Sequence, residues 1–111
     1  MRQVTKQLGK IMNNFIPEHE ARDLIDNHDA LVVDVRNPQE YLGGSAPGAI
    51  NIPVSVLPHR AHELDSEKPV IVFCRSGARS EQAKIILNSL GFNKVQNAGG
   101  LHHMINCLSP S

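Results

Sequence analysis

The run from Val70 to Leu90, VIVFCRSGARSEQAKIILNSL, constrains the fold more than any other part of the chain. Its first four residues, Val70 to Phe73, are apolar and mostly β-branched or aromatic, the composition of a strand buried on both faces. From Cys74 to Ser80 the character changes at once to a thiol, two arginines, two serines and a glycine. Beyond this, Ala83, Ile86, Leu87 and Leu90 recur at helical spacing, and Gly91 is a natural left-handed stop. The chain therefore passes from a buried strand, through a tight polar loop, into a helix N-terminus. Cys74 stands at the strand's carboxyl end.

That position has chemical consequences. Sites in open α/β sheets gather beyond the carboxyl ends of the strands. The unpaired N–H groups of a first helical turn favour negative charge, and a loop whose amides turn inward adds an anion nest. A thiol held there, with Arg75 and Arg79 nearby, is expected to ionise more readily than a free cysteine of pKa about 8.5. Arg75 attracts and orients an anionic reactant; Arg79, at the helix start, holds the loop or anchors anionic oxygens. Ser76 and Ser80 are hydrogen-bond donors, Gly77 lets the backbone turn without a Cβ clash, and Ala78 contributes its amide to the ring from Arg75 to Ser80. Cys107 is the opposite case, an expected buried thiol in an apolar helix beside Leu108.

Composition removes several function classes. One chain of 111 residues is enough for a single core, and 11 basic against 11 acidic residues leave no basic field to suggest nucleic acid. Two cysteines 33 positions apart, without C-x-x-C spacing, argue against a disulfide scaffold and a zinc ribbon. His59 and His62 share a helix spacing but have no adjacent carboxylate or thiol at ligand spacing, so they read as solvated side chains and no metal is expected. No cofactor is called for. The apolar runs are too short to span a bilayer and the N-terminus lacks a signal-peptide core, which makes a reducing cytoplasm the expected setting, with no membrane expected as a partner.

The remaining segments alternate between strand and helix. Residues 1–13 carry Val4, Leu8, Ile11 and Met12 at helical spacing among basic residues, a short amphipathic helix that reads as a terminal helix packed on its own domain or a frayed end, with contact to an anionic membrane or a partner as the alternative. Phe15 and Ile16 suggest a brief edge strand closed by Pro17. Glu18 to Asn27 reads as a helix with Ala21, Leu24 and Ile25 inward. Leu31 to Val35 is a buried strand, and Asn37 to Gly48 a loop with a helical turn around Gln39 to Leu42. Ala49 to Ile52 is a short strand. Ser55 is an expected N-cap for a helix presenting Leu57, Ala61 and Leu64. Lys94 to Gln96 is a last strand, Asn97 to Gly100 a tight turn, and Leu101, Met104, Ile105 and Leu108 line a closing helix. The expected fold is α/β, a parallel sheet of about five strands with helices on both faces.

The loop CRSGARS after a hydrophobic strand resembles the active-site loop of the rhodanese, or thiosulfate sulfurtransferase, family. LVVDVR (Leu31 to Arg36), PQEY (Pro38 to Tyr41), PGAINIP (Pro47 to Pro53) and AGGL (Ala98 to Leu101) fall in that family's order and spacing. The resemblance implies a rhodanese-like domain over residues 14–111, with 1–13 as an extension. It gives Asp34 and Arg36 a role in bracing the sheet beside the site. It also implies sulfur transfer through a Cys74 persulfide, the donor being thiosulfate or another small sulfane-sulfur compound and the acceptor a thiol or cyanide, with a protein donor or acceptor equally compatible. Three departures stand out: Ser45 where the family usually has His, Ala46 in place of a larger aliphatic residue, and Met104 where Trp is common. The first is expected to remove a hydrogen-bonding group, the others to soften packing. Two other readings compete. A cysteine-dependent phosphatase or arsenate reductase would have C-x5-R, whereas Cys74 to Arg79 is C-x4-R. A non-catalytic partner-binding or sulfur-carrier module would ordinarily have lost the cysteine. His102 and His103 are expected at the surface.

Overall fold

The computed structural model describes residues 14–109. The extension expected to be a helix within 1–13 lies outside them. Helix α1 spans Glu18–His28, strand β1 Leu31–Asp34, α2 Pro38–Leu42, β2 Ile50–Asn51, α3 Leu57–Arg60, β3 Val70–Cys74, α4 Ala78–Ser89, β4 Val95–Gly100 and α5 Leu101–Leu108. The four strands are parallel in the order β2-β1-β3-β4, so the chain is an α/β domain and β3 lies inside the sheet. Every residue of β3 is buried, which is why its sequence shows no polar alternation.

The pleat of β3 divides the core in two. Val70, Val72 and Cys74 point to the face that also holds Val33, Leu57, Ala61, Ala83 and Leu87, covered by α3 and α4. Ile71 and Phe73 point to the other face with Val32, Ala21, Met104 and Cys107, covered by α1 and α5. Helices thus protect both surfaces of the sheet. The inward residues of α1 are those expected: Ala21 is fully buried, with Leu24 and Ile25 packed beside it. Asp29, at φ 57°, ends that helix in the left-handed region, its N–H donating to the Leu24 carbonyl. Helix α4 ends where expected, with Gly91 at φ 97°, although Leu90 at the end of its stripe is exposed.

Three segments differ from expectation. Phe15 and Ile16 form no strand; the Ile16 N–H makes one bond, 2.9 Å, to the Asn97 carbonyl. Ser55 caps nothing, since the chain enters through a 3-10 turn at Val54–Val56 whose start is fixed by a Val54 N–H bond to the Val35 carbonyl. Leu57, Ala61 and Leu64 are nonetheless buried, as their spacing requires. The last strand does not stop at Gln96 but continues through Asn97 to Gly100. Its register against β3 shifts between Val72↔Asn97 and Cys74↔Gly100, one residue more on β4 than on β3. This bulge puts Gly99 at φ 77° beside the end of β3. Among the described residues no helix is long and apolar enough to cross a membrane.

Candidate active site

β3 delivers Cys74 to the sheet's carboxyl edge, and the chain reverses into α4 within three residues. Gly77, at φ 103°, makes that reversal and stands just before α4. Arg75 and Ser76 are exposed above it, as is Ala78. The Gly77 N–H donates to Cys74 Sγ at 3.0 Å, and Ser80 Oγ lies 3.4 Å from the same sulfur. The loop tucks against β4 because position 100 has no side chain: a Cβ on Gly100 would collide with the Arg75 carbonyl oxygen.

Cys74 is fully buried. Burial by itself pushes its thiol up, yet the net shift is downward, because the Ser80 hydroxyl and the backbone amides of Ser80, Gly77 and Ser76 favour the thiolate. Hydrogen bonds supply this, more than the arginines that the sequence suggested. Cys107 shows burial without such donors: desolvation, together with the Glu18 charge, outweighs Arg22 and raises its thiol. The two cysteines lie in the cores on opposite faces of the sheet.

Asn97, whose sequence context reads as a tight turn, organises this loop from within β4. Its Oδ1 accepts from Ser80 Oγ at 2.7 Å and from the Gly99 N–H at 2.8 Å. Its Nδ2 donates to the Gly77 carbonyl at 3.2 Å and to Glu81 Oε1 at 3.0 Å. All four valences of the amide are used, which also fixes which way the amide points. One residue on β4 therefore holds the loop glycine, the helix hydroxyl and the bulge together. The available signal was alternation: with Val95 inward and Gln96 outward, Asn97 falls on the buried side of the strand, two positions before Gly99.

Arg79 is held chiefly by Glu40, with a smaller interaction with Cys74. Its two terminal nitrogens donate to Glu40 at 2.7 and 3.0 Å, a bidentate pair that joins α4 to α2. Arg79, against a smaller cost of desolvation, holds the Glu40 carboxyl at about 2. Glu40 also closes a capping box with Asn37 at the start of α2, so the same carboxylate anchors a helix end and restrains the helix that follows Cys74.

Asp34 and Arg36 form a second buried unit. Arg36 donates to Asp34 at 3.0 and 2.7 Å and to the Gly44 carbonyl at 2.7 Å. Ser45 does not leave a gap here: its hydroxyl donates to Asp34 Oδ2 at 2.7 Å. Asn51 Nδ2 donates to the carbonyls of Asp34 and Arg36. These contacts tie β1, β2 and the 43–45 turn into one rim. His103 also corrects the sequence reading: it is half-buried, its Nε2 2.8 Å from the Ile16 carbonyl. His102 is exposed. Among the described residues no three His, Cys, Asp or Glu side chains gather where a metal could bind.

A strand that delivers a sulfur into a ring of amides at a helix start defines a class of α/β domains built around a loop cysteine. The profile of the rhodanese-like domain matches residues 18–103, and the chain belongs to that family. It is 37% identical over 90 residues to a sulfurtransferase of Allochromatium vinosum, covering 81% of this chain and 84% of that protein. It is 42% identical over 71 residues to the thiosulfate sulfurtransferase PspE of Escherichia coli, covering 62% and 68%. The human single-domain sulfurtransferase TSTD1 superposes with a TM-score of 0.72 at 29% identity, over 88% of this chain and 98% of that one. Kinship of this kind supports a sulfurtransferase in the general sense. Other relatives are tRNA uridine(34) hydroxylases, such as that of Pelagibacter ubique, 36% identical over 93 residues, which cover 80% of this chain but 31% of the hydroxylase.

Proposed function

We propose that the chain is a sulfurtransferase that moves a sulfane sulfur from thiosulfate or a persulfide donor to a thiol or cyanide acceptor, with Cys74 as carrier. The observation that carries this reading is the Gly77 N–H aimed at a buried Cys74 Sγ beside the Ser80 hydroxyl. The Cys74 thiolate attacks the outer sulfur of thiosulfate; the new S–S bond forms as the old one breaks, and sulfite leaves with the electron pair. An acceptor thiolate then attacks the outer sulfur of the Cys74 persulfide and returns the electron pair to Sγ. Two half-reactions through one covalent intermediate give ping-pong kinetics. Preorganised amides stabilise the charged sulfur in both. Neither half-reaction needs a general acid, because the nucleophile attacks as its thiolate and sulfite leaves as an anion.

Arg75, exposed at the mouth, draws in the anionic donor. Ser76, Gly77, Ala78 and Ser80 line the sulfur cradle, Arg79 fixes the helix start through Glu40, and Asp34 with Arg36 braces the rim. Residues 14–111 act as one catalytic domain with 1–13 as an extension, in a reducing compartment such as the cytoplasm that keeps the thiol free. Its partners are the sulfur donor and the acceptor, small molecules or the cysteine of another protein.

Intact-protein mass spectrometry after thiosulfate treatment tests the proposal. The wild type gains one sulfur atom and loses it on adding cyanide, whereas Cys74→Ser gains none. A wild type that takes up no sulfur, or a Cys74→Ser protein that still does, overturns it.

A further inference from the structure

Phe15 precedes α1 and is far in sequence from the loop, yet its ring lies on both glycines beside the sulfur. A Cβ on Gly77 would stand 2.5 Å from Phe15 Cζ and 2.8 Å from Cε1; one on Gly99 would stand 2.7 Å from Cδ2 and 2.8 Å from Cε2. The next residue is held on both sides. The Ile16 N–H donates to the Asn97 carbonyl at 2.9 Å, and the His103 ring, through Nε2–H, donates to the Ile16 carbonyl at 2.8 Å. Ile16 itself is buried. The ring is therefore fixed by its own backbone against the pair of glycines that sets the loop's shape.

Gly77 has the greatest need of such a restraint. It adopts φ 103°, has no side chain to pack, and supplies the N–H that reaches Cys74 Sγ. Its carbonyl is held by Asn97 Nδ2, and its α-carbon is covered by Phe15. We propose that Phe15 is a positioning residue for Cys74: its ring, clamped on Gly77 and Gly99, keeps the Gly77 amide aimed at the sulfur. The inference deepens the assignment of Cys74 as the reactive thiol and rests on it. The charged and titratable groups around this cluster are Arg79 with its Glu40 partner, Arg75 in the loop, Glu81 behind Asn97, and His103 behind Ile16. Truncating Phe15 removes none of them, so a change in the thiol reports the aim of the amide.

The test is the pH profile of iodoacetamide alkylation at Cys74, read by peptide-resolved mass spectrometry on the full chain. In Phe15→Ala the midpoint moves up, and the rate well below it falls about threefold to tenfold, the change expected when a thiol loses a hydrogen bond to its charged form. The plateau at high pH reports access and is compared separately. Phe15→Leu, which keeps part of the apolar cover, falls between wild type and Phe15→Ala. It carries the test alone if the alanine variant does not fold. His103→Ala, which releases the Ile16 carbonyl, moves the midpoint the same way. A folded Phe15 variant with the wild-type midpoint overturns the proposal. Because alkylation requires no sulfur transfer, that outcome is distinct from a wild type that fails to take sulfur from thiosulfate.

Discussion

Ser80 has one proton and three acceptors within reach, Asn97 Oδ1 at 2.7 Å, Cys74 Sγ at 3.4 Å and the Gly99 carbonyl at 3.5 Å. While Cys74 is protonated, the shorter bond to Asn97 takes that proton and the Ser80 lone pair faces the thiol. Once the sulfur is charged, a turn of the hydroxyl gives it a donor, and Asn97 Oδ1 keeps the Gly99 N–H. Ser80→Ala removes the strongest of the groups that lower the Cys74 thiol. The alkylation midpoint should rise and the rate below it fall about threefold to tenfold, read by the same titration. Burial sets a second expectation at this scale. Since Cys74 is fully buried, iodoacetamide should react faster than a bulky maleimide, whereas on a free thiol the maleimide is the faster reagent. An order unchanged from the free thiol would mean that the sulfur is reached more openly than the fold suggests.

At the scale of elements, the Glu40–Arg79 pair joins the start of α2 to the helix that leaves the cysteine loop. Glu40 titrates at about 2 in the fold against 4.5 without it. A depressed carboxyl stabilises the fold above its unfolded pKa, and that contribution disappears as pH falls from the unfolded value through the folded one. The loss therefore lies between about pH 4.5 and 2. Both side chains remain partly in solvent, so screening limits the effect. Glu40→Gln should cost about 1 kcal/mol at neutral pH and flatten acid unfolding over that window. Urea denaturation as a function of pH checks both. The β4 bulge acts at the same scale: Gly99 and Gly100 are where the strand yields so that the loop and the Phe15 ring can close on it.

For the molecule as a whole, β3 is both the centre of the sheet and the support of the site. Phe73 is fully buried in the core under α1 and α5, one residue before Cys74 on the opposite face. Phe73→Ala should destabilise by about 3–5 kcal/mol, a large share of the roughly 5–15 kcal/mol that holds a domain folded. Denaturant unfolding should show a lower midpoint with an unchanged slope. Cys74→Ser, by contrast, keeps a small group in reach of the Gly77 N–H and should unfold near the wild-type midpoint while losing sulfur uptake. The two variants separate loss of fold from loss of chemistry.

Local order was legible wherever neighbours in sequence determine it. The apolar run at Val70 to Phe73 is the interior strand and the stripe from Ala83 to Leu87 the helix face that their patterns suggest, and Gly77 and Gly91 do turn the backbone through positive φ. The same reasoning put Cys74 at a strand end before a helix start, which is a local fact. What donates to its sulfur is partly local as well, since Gly77 and Ser80 lie within the loop and first turn. The supports are not. Asn97 reaches Ser80 across 17 positions, Glu40 reaches Arg79 across 39, and His103 reaches Ile16 across 87. Sequence spacing has no period over such distances, so Asn97 read as a turn, His103 as surface and Ser45 as a loss. The sequence by itself decided that a thiol would sit at the end of a buried strand. Packing of the parallel sheet and its helices decided which side chains hold the loop around it, because only closure of the chain brings β4, α2 and the segment before α1 to one edge.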